Sequence, residues 1–180
     1  MSIRTHLDGL VAKGDLVPFQ VRHPLRNVRA LYLTPAVLKE LNDAKSAVNH
    51  HGVRADCIRV MERWVSGGNI PVSMSGSGRG AILARLDPPP ADIWELRITE
   101  PNVQFRAFGQ FVAKDVLIVT ALQPRGTLLT KKLRSRRTRS ATWTAAMYGC
   151  FDVCKKLIAP YLSLSGSDPA TFVSENYDVL

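Results

Sequence analysis

Simple strand alternation is enough to bring two arginines, Arg97 and Arg106, side by side. From Ile93 to Leu122 the chain reads as three consecutive strands. In the first, Trp94, Leu96 and Ile98 alternate with Ile93, Glu95, Arg97 and Thr99. In the second, Val103, Phe105, Ala107 and Phe111 alternate with Gln104, Arg106, Phe108 and Gln110. A period of two marks half-buried strands, and Glu100-Pro101-Asn102 between them is turn chemistry. If the apolar sets share a face, Thr99 opposes Gln104, Ile98 opposes Phe105 and Arg97 opposes Arg106. Like charges directly opposed destabilise a sheet. A phosphate or other anion held between them removes the conflict. Neutralisation by Glu95, or by solvent, removes it without a ligand.

Arginines clamp phosphate well but stay protonated, so they are poor proton shuttles. Glu95 is the candidate general base, with pairing to Arg97 or Arg106 as its alternative role. Lys131 and Lys132 are candidates for the acid, or for holding backbone phosphates. His6, His23, His50 and His51 read as surface residues. Cys150 and Cys154 lie one helical turn apart, but no second pair or nearby histidine completes a metal site. With Cys57 they read as small apolar core residues in a reducing compartment. No metal or cofactor is expected.

The formal net charge is +9 and the isoelectric point is near 9.9, which favours a polyanionic partner. Between Val116 and Phe151 there is no acidic residue, while Arg125, Lys131, Lys132, Arg134, Arg136, Arg137 and Arg139 all fall there. Together with Arg85, the residues from Lys131 to Arg139 form the expected nucleic-acid-binding set. A basic loop with no specific ligand is the alternative. No run of about 18 apolar residues suggests a membrane span. The first ten residues have neither an apolar core nor a cleavage signature, so a cytoplasmic location is expected.

The elements that must position the arginines follow from periodicity and punctuation. A short helix is expected over Thr5–Val11 and a strand over Val28–Leu33. Thr34-Pro35 looks like an N-cap followed by a first-turn proline. It starts a helix with Val37, Leu41, Ala44 and Val48 on one face, ending near His50-His51-Gly52. A second helix runs from Val53 to Val65, with Val53, Cys57, Val60, Met61 and Trp64 on its apolar side. Gly67-Gly68 stops it. Ser73–Gly80 is a flexible loop without nucleotide-binding spacing. A strand over Ala81–Leu86 precedes the three-strand meander. Val116–Leu122 is apolar enough to be central in the sheet. A last helix spans Ala141–Ala159, with Trp143, Met147, Phe151, Cys154 and Ile158 on one side. Residues 161–180 read as a loose polar tail from which Phe172, Tyr177 and Leu180 are the residues able to dock. The expected fold is α+β: a curved, mainly antiparallel sheet, a helical hairpin and a C-terminal helix, with the helices on one face. The other face then carries Glu95, Arg97, Gln104, Arg106 and Gln110. The expected divisions are an extension (1–27), a domain (28–160) containing a basic segment (125–139), and the tail.

Three stretches resemble the RelE/ParE superfamily of type II toxins, most of all its HigB-like and phage-borne branches: LYLTPAVLKEL after a short strand, the helical pair ending at Gly67-Gly68-Asn69-Ile70-Pro71, and IWELRI followed by QFRAFGQF. The resemblance covers about Val28 to Arg125. It implies a metal-independent endoribonuclease of mRNA, in which the 2′-hydroxyl attacks the adjacent phosphate and basic side chains stabilise the charge that develops. The partners it implies are mRNA, the ribosome and a cognate antitoxin. Arg97, Arg106 and Arg125 match the family's basic positions. The strand lysines of the best-known nuclease are replaced by Ile93 and Glu95, and Tyr148 lies too deep in its helix to match the expected C-terminal tyrosine. The alternative is a non-enzymatic binder of the same fold: a gyrase-directed toxin, a phage-encoded inhibitor or a nucleic-acid-binding protein.

Overall fold

The computed structural model describes residues 2–21, 26–43, 52–76, 78–86, 92–99, 104–128 and 141–180. The expected turns at 87–90 and 100–102, Val103, the helical residues Ala44 and Val48, and His23, His50 and His51 lie outside them. So does the join of the expected helical hairpin.

The protein is α+β, and its described residues build one mixed eight-stranded sheet. The strands are β1 (Val17–Pro18), β2 (Ala30–Leu33), β3 (Ile70–Ser73), β4 (Leu83–Leu86), β5 (Ile93–Ile98), β6 (Phe105–Ala113), β7 (Val116–Pro124) and β8 (Tyr177–Val179). Their spatial order is β1-β2-β7-β6-β5-β4-β3-β8. Antiparallel pairings join β4 through β7, as the alternation predicts, and also β1 to β2. The β2–β7, β3–β4 and β3–β8 pairings are parallel, so the sheet is more mixed than expected. The helices are α1 (Ile3–Lys13), α2 (Pro35–Asn42), α3 (Val53–Val65), the short α4 (Arg125–Leu128) and α5 (Ala141–Ile158).

The expectation of helices on one face is corrected. On one face, Val37 and Leu41 of α2 and Cys57, Met61 and Trp64 of α3 pack on Trp94, Leu96, Phe105 and Phe111. On the other, Leu7 and Leu10 of α1 and Met147, Cys150 and Cys154 of α5 pack on Ile93, Phe108, Val112 and Ile118. Every residue of β5 is therefore buried. The sequence hides this because the second face is apolar only at its α5 end and charged beyond it.

The ends of the chain are integral to the sheet. Ser2 caps α1 by accepting from the Thr5 amide, and β1 extends the sheet at one edge. At the other edge the expected loose tail returns as β8. Phe172 and Val173, just before it, are fully buried in the α2–α3 core.

Gly109 sits where β6 and β7 slip register, with Phe108 opposite Ala121 and Gly109 opposite Val119. A Cβ there would lie 2.2 Å from the Ile118 carbonyl oxygen. Backbone cannot swing aside as a side-chain tip does. Gly109→Ala is expected to destabilise the protein by about 3 kcal/mol, the upper end of ordinary overpacking. Urea unfolding measures this through a lowered midpoint.

Candidate functional site

The register that opposes Arg97 to Arg106 is present, with Ile98 opposite Phe105 beside it. Glu95 lies two residues before Arg97 on the same pleat and joins the two arginines. Its Oε1 accepts from Arg97 Nε at 2.5 Å, and its Oε2 lies 3.3 Å from Arg106 Nε, an ion pair without hydrogen-bond alignment. Glu95 is 1% exposed. The structure thus brings the candidate base into the cluster, but as a counter-ion between two guanidiniums.

The two arginines differ in what they hold. The Arg97 guanidinium is committed on three sides: Nε to Glu95, Nη1 to the Gly78 carbonyl and Nη2 to the Gly76 carbonyl at 2.9 Å. It fastens the glycine loop after β3 to the sheet. A Cβ at Gly78 would meet the Ser73 Oγ at 2.2 Å and its Cβ at 2.3 Å, so a larger residue there would force Ser73 or the loop to shift. Arg106 donates through Nη1 to its neighbour's Phe105 carbonyl at 2.8 Å. Burial drives its pKa down to about 10; Arg125 and Arg97 push the same way, and Glu95 opposes them. Arg106 is therefore charged in both folded and unfolded states at neutral pH. Its folded pKa is depressed, so the cost of burying it is fully present there and is relieved only as pH rises past about 10.

Arg125 begins α4, where β7 ends. Its backbone amide donates to the Gln104 carbonyl and its Nη1 to Gln104 Oε1, each at 2.7 Å. This carries the β6–β7 pairing one step past Phe105 and Pro124, and places an exposed guanidinium beside the buried pair.

These groups line a cleft of about 360 Å³. Its walls include Arg79 of the glycine loop, Thr99 at the end of β5 and Trp143 in the first turn of α5. Trp143 packs edge-on against Phe108, with ring centres 5.8 Å apart. That contact marks the border on this face: α5 covers the apolar half, and the charged half opens into the cleft. Four arginines face one carboxylate there.

The other expected site residues lie elsewhere. Gln110 is buried and donates to Ser163. Arg85 pairs across the strands with Trp94, on the face opposite the cleft. It holds Asp92 at 3.1 Å and the Gly166 carbonyl at 2.9 Å. Lys131, Lys132, Arg134, Arg136, Arg137 and Arg139 lie outside the described residues. Sequence reasoning missed Arg79 and the latch that Arg97 forms with the glycine loop. The only signal for them is an arginine among glycines, which does not say which strand the loop meets.

Among the described residues, no group of three or more His, Cys, Asp or Glu is placed to hold a metal ion. No described helix is long and apolar enough to cross a membrane. The three cysteines are free and buried, and burial pushes the Cys57 thiol up to about 12. No family model, curated protein or solved structure matches the chain.

Proposed function

We propose that this chain binds the phosphodiester backbone of RNA in the arginine cleft, as a toxin-type protein of the RelE/ParE superfamily. The observation that carries this reading is the set Arg97, Arg106 and Arg125 around an open cleft whose lining carboxylate, Glu95, is already shared between two of them. Positive charge in a concave, low-dielectric wall focuses the field on an approaching anion. The planar guanidinium fork matches phosphate oxygens. The net charge of +9 favours the same partner. Support for the toxin comparison comes from the element order β2, α2, α3, then β3, the antiparallel run β4 to β7, the short α4 and α5.

The narrower reading is RNA cleavage by 2′-hydroxyl attack. It is favoured by the convergence of guanidiniums where phosphorane charge would develop. It lacks a base. Both Glu95 oxygens face arginines, and the His6 ring lies on α1 at 2.8 Å from the Leu157 carbonyl oxygen. Binding without cleavage is the reading this geometry supports.

Arg106→Gln is expected to weaken single-stranded RNA binding at least about tenfold, the scale of one hydrogen bond to a charged group. Glu95 keeps Arg97 as its partner in that variant, so the fold should persist. Fluorescence anisotropy at fixed salt measures the loss, and unchanged affinity would sink the proposal. Primer extension on cellular mRNA after brief induction separates binding from cleavage: new 5′ ends that disappear with Arg106→Gln would establish the catalytic version.

A further inference from the structure

A second concavity of about 190 Å³ lies on the α3 face of the sheet, around the end of β5 from the first. The two share Ile82, Arg97 and Thr99 as a common wall. That wall is rigid: the Arg97 amide donates to the Ile82 carbonyl at 2.7 Å, and its guanidinium is held by Glu95 and the glycine loop. Across it, α3 presents Arg59 and Arg63, four residues apart and so on one helix face. Both are exposed. Arg59 pairs with Asp56 at 2.6 Å, and Arg63 donates through Nε to the Asn69 carbonyl at 2.7 Å. Taken together, the two concavities are lined by six arginines against the carboxylates Asp56 and Glu95.

Ligand pockets usually exceed about 300 Å³. The cleft at Arg106 meets that size, and the concavity at α3 does not. The smaller one makes sense as a continuation for a ligand already seated in the larger one. A polyanion with repeated phosphates is such a ligand; a single small anion is not.

We infer that the binding site is a two-compartment track for single-stranded RNA, in which the strand enters the Arg106–Arg125 cleft, crosses the Arg97–Thr99 wall and is gripped again by Arg59 and Arg63 of α3. This rests on the proposed function and extends it: it assigns a second phosphate subsite and a ligand longer than one nucleotide. Thr99, exposed at the end of β5, is the crossing point.

The test compares two synthetic RNAs, a 5′-phosphorylated dinucleotide and a strand of about twelve nucleotides, a length within the range ssDNA-binding folds occupy. In the variant with both Arg59→Gln and Arg63→Gln, dinucleotide affinity should equal wild type. For the longer strand, affinity should fall, and the slope of log K against log salt should flatten by about 1.4, the value for two lost phosphate contacts on a single strand. Arg106→Gln should weaken both RNAs. Circular dichroism checks that each variant is folded. If the double variant binds the longer strand with wild-type affinity and slope while Arg106→Gln loses it, the track is wrong and the cleft stands. If wild type binds neither RNA, the cleft and the track fall together.

Discussion

Glu95→Gln should lower stability by about 3 kcal/mol and, in the protein that remains folded, tighten the binding of RNA. Removing one member of a buried ion pair typically costs about 3–5 kcal/mol, because the partner charge is left uncompensated. Here the loss leaves Arg97 and Arg106 opposed with no negative charge between them. The low end of the range applies because both guanidiniums border an open cleft that water enters. Glutamine keeps the size of the side chain and one carbonyl oxygen for Arg97 Nε, so the substitution removes charge more than packing. Among the described residues that line the cleft no other carboxylate is left to compete with the RNA phosphate for the guanidiniums, and affinity rises. A base would behave in the opposite way: its removal would leave stability and binding in place and abolish cleavage. Chemical unfolding and anisotropy on the same preparation give both readings. Wild-type stability together with wild-type affinity would overturn the counter-ion role.

The same carboxylate shows where sequence reasoning reached and where it stopped. Period-two alternation in IWELRI and QFRAFGQF was sufficient to set the strand register, including the opposed arginines, because a slip of one residue would send Trp94 and Phe105 out of the core. Helix α3 was legible to its ends for a similar reason: four of its apolar-stripe residues are buried, and glycines bound it. Alternation cannot, however, distinguish a solvent face from a buried face whose charges neutralise each other. Glu95, Arg97 and Arg106 therefore read as exposed although each is at most 9% exposed. Contacts between distant segments left even less trace. The pairing of β8 with β3 joins Tyr177 to Ile70, and the glycine loop reaches Arg97 through carbonyl groups that carry no sequence signature. Arg59 and Arg63 show ordinary helix-surface spacing, and only the fold sets them beside Arg97.

The tail is the largest of these omissions, and Phe172→Ala should expose its weight. Phe172 lies 4.7 Å from the Trp94 ring centre and 5.4 Å from that of Phe111, and Phe111 in turn meets Trp64 at 5.6 Å. The backbone around it is pinned: its carbonyl accepts from the Asp115 amide, and the Asp115 carboxylate accepts from the Ser174 amide at 3.0 Å. Arg29, buried under the same segment with its guanidinium 4.9 Å from the Trp64 ring centre, donates to the Glu175 and Asn176 carbonyls. So anchored, the tail cannot close the void that the lost ring leaves, and the cost should fall within the range of about 3–5 kcal/mol for a buried phenylalanine. For a chain of this size that is a drop of roughly 10 °C in Tm. Leu162→Ala is the matching control, since Leu162 is 86% exposed and should shift stability by less than about 0.5 kcal/mol. A Phe172→Ala protein melting within a degree or two of wild type would mean that the tail is not part of the core. Phe172 belongs to the core on the face opposite the arginine cleft. At a temperature where the variant is still folded, its affinity for the dinucleotide, which that cleft alone seats, should therefore equal wild type, which separates the residues that hold the sheet together from those that use it.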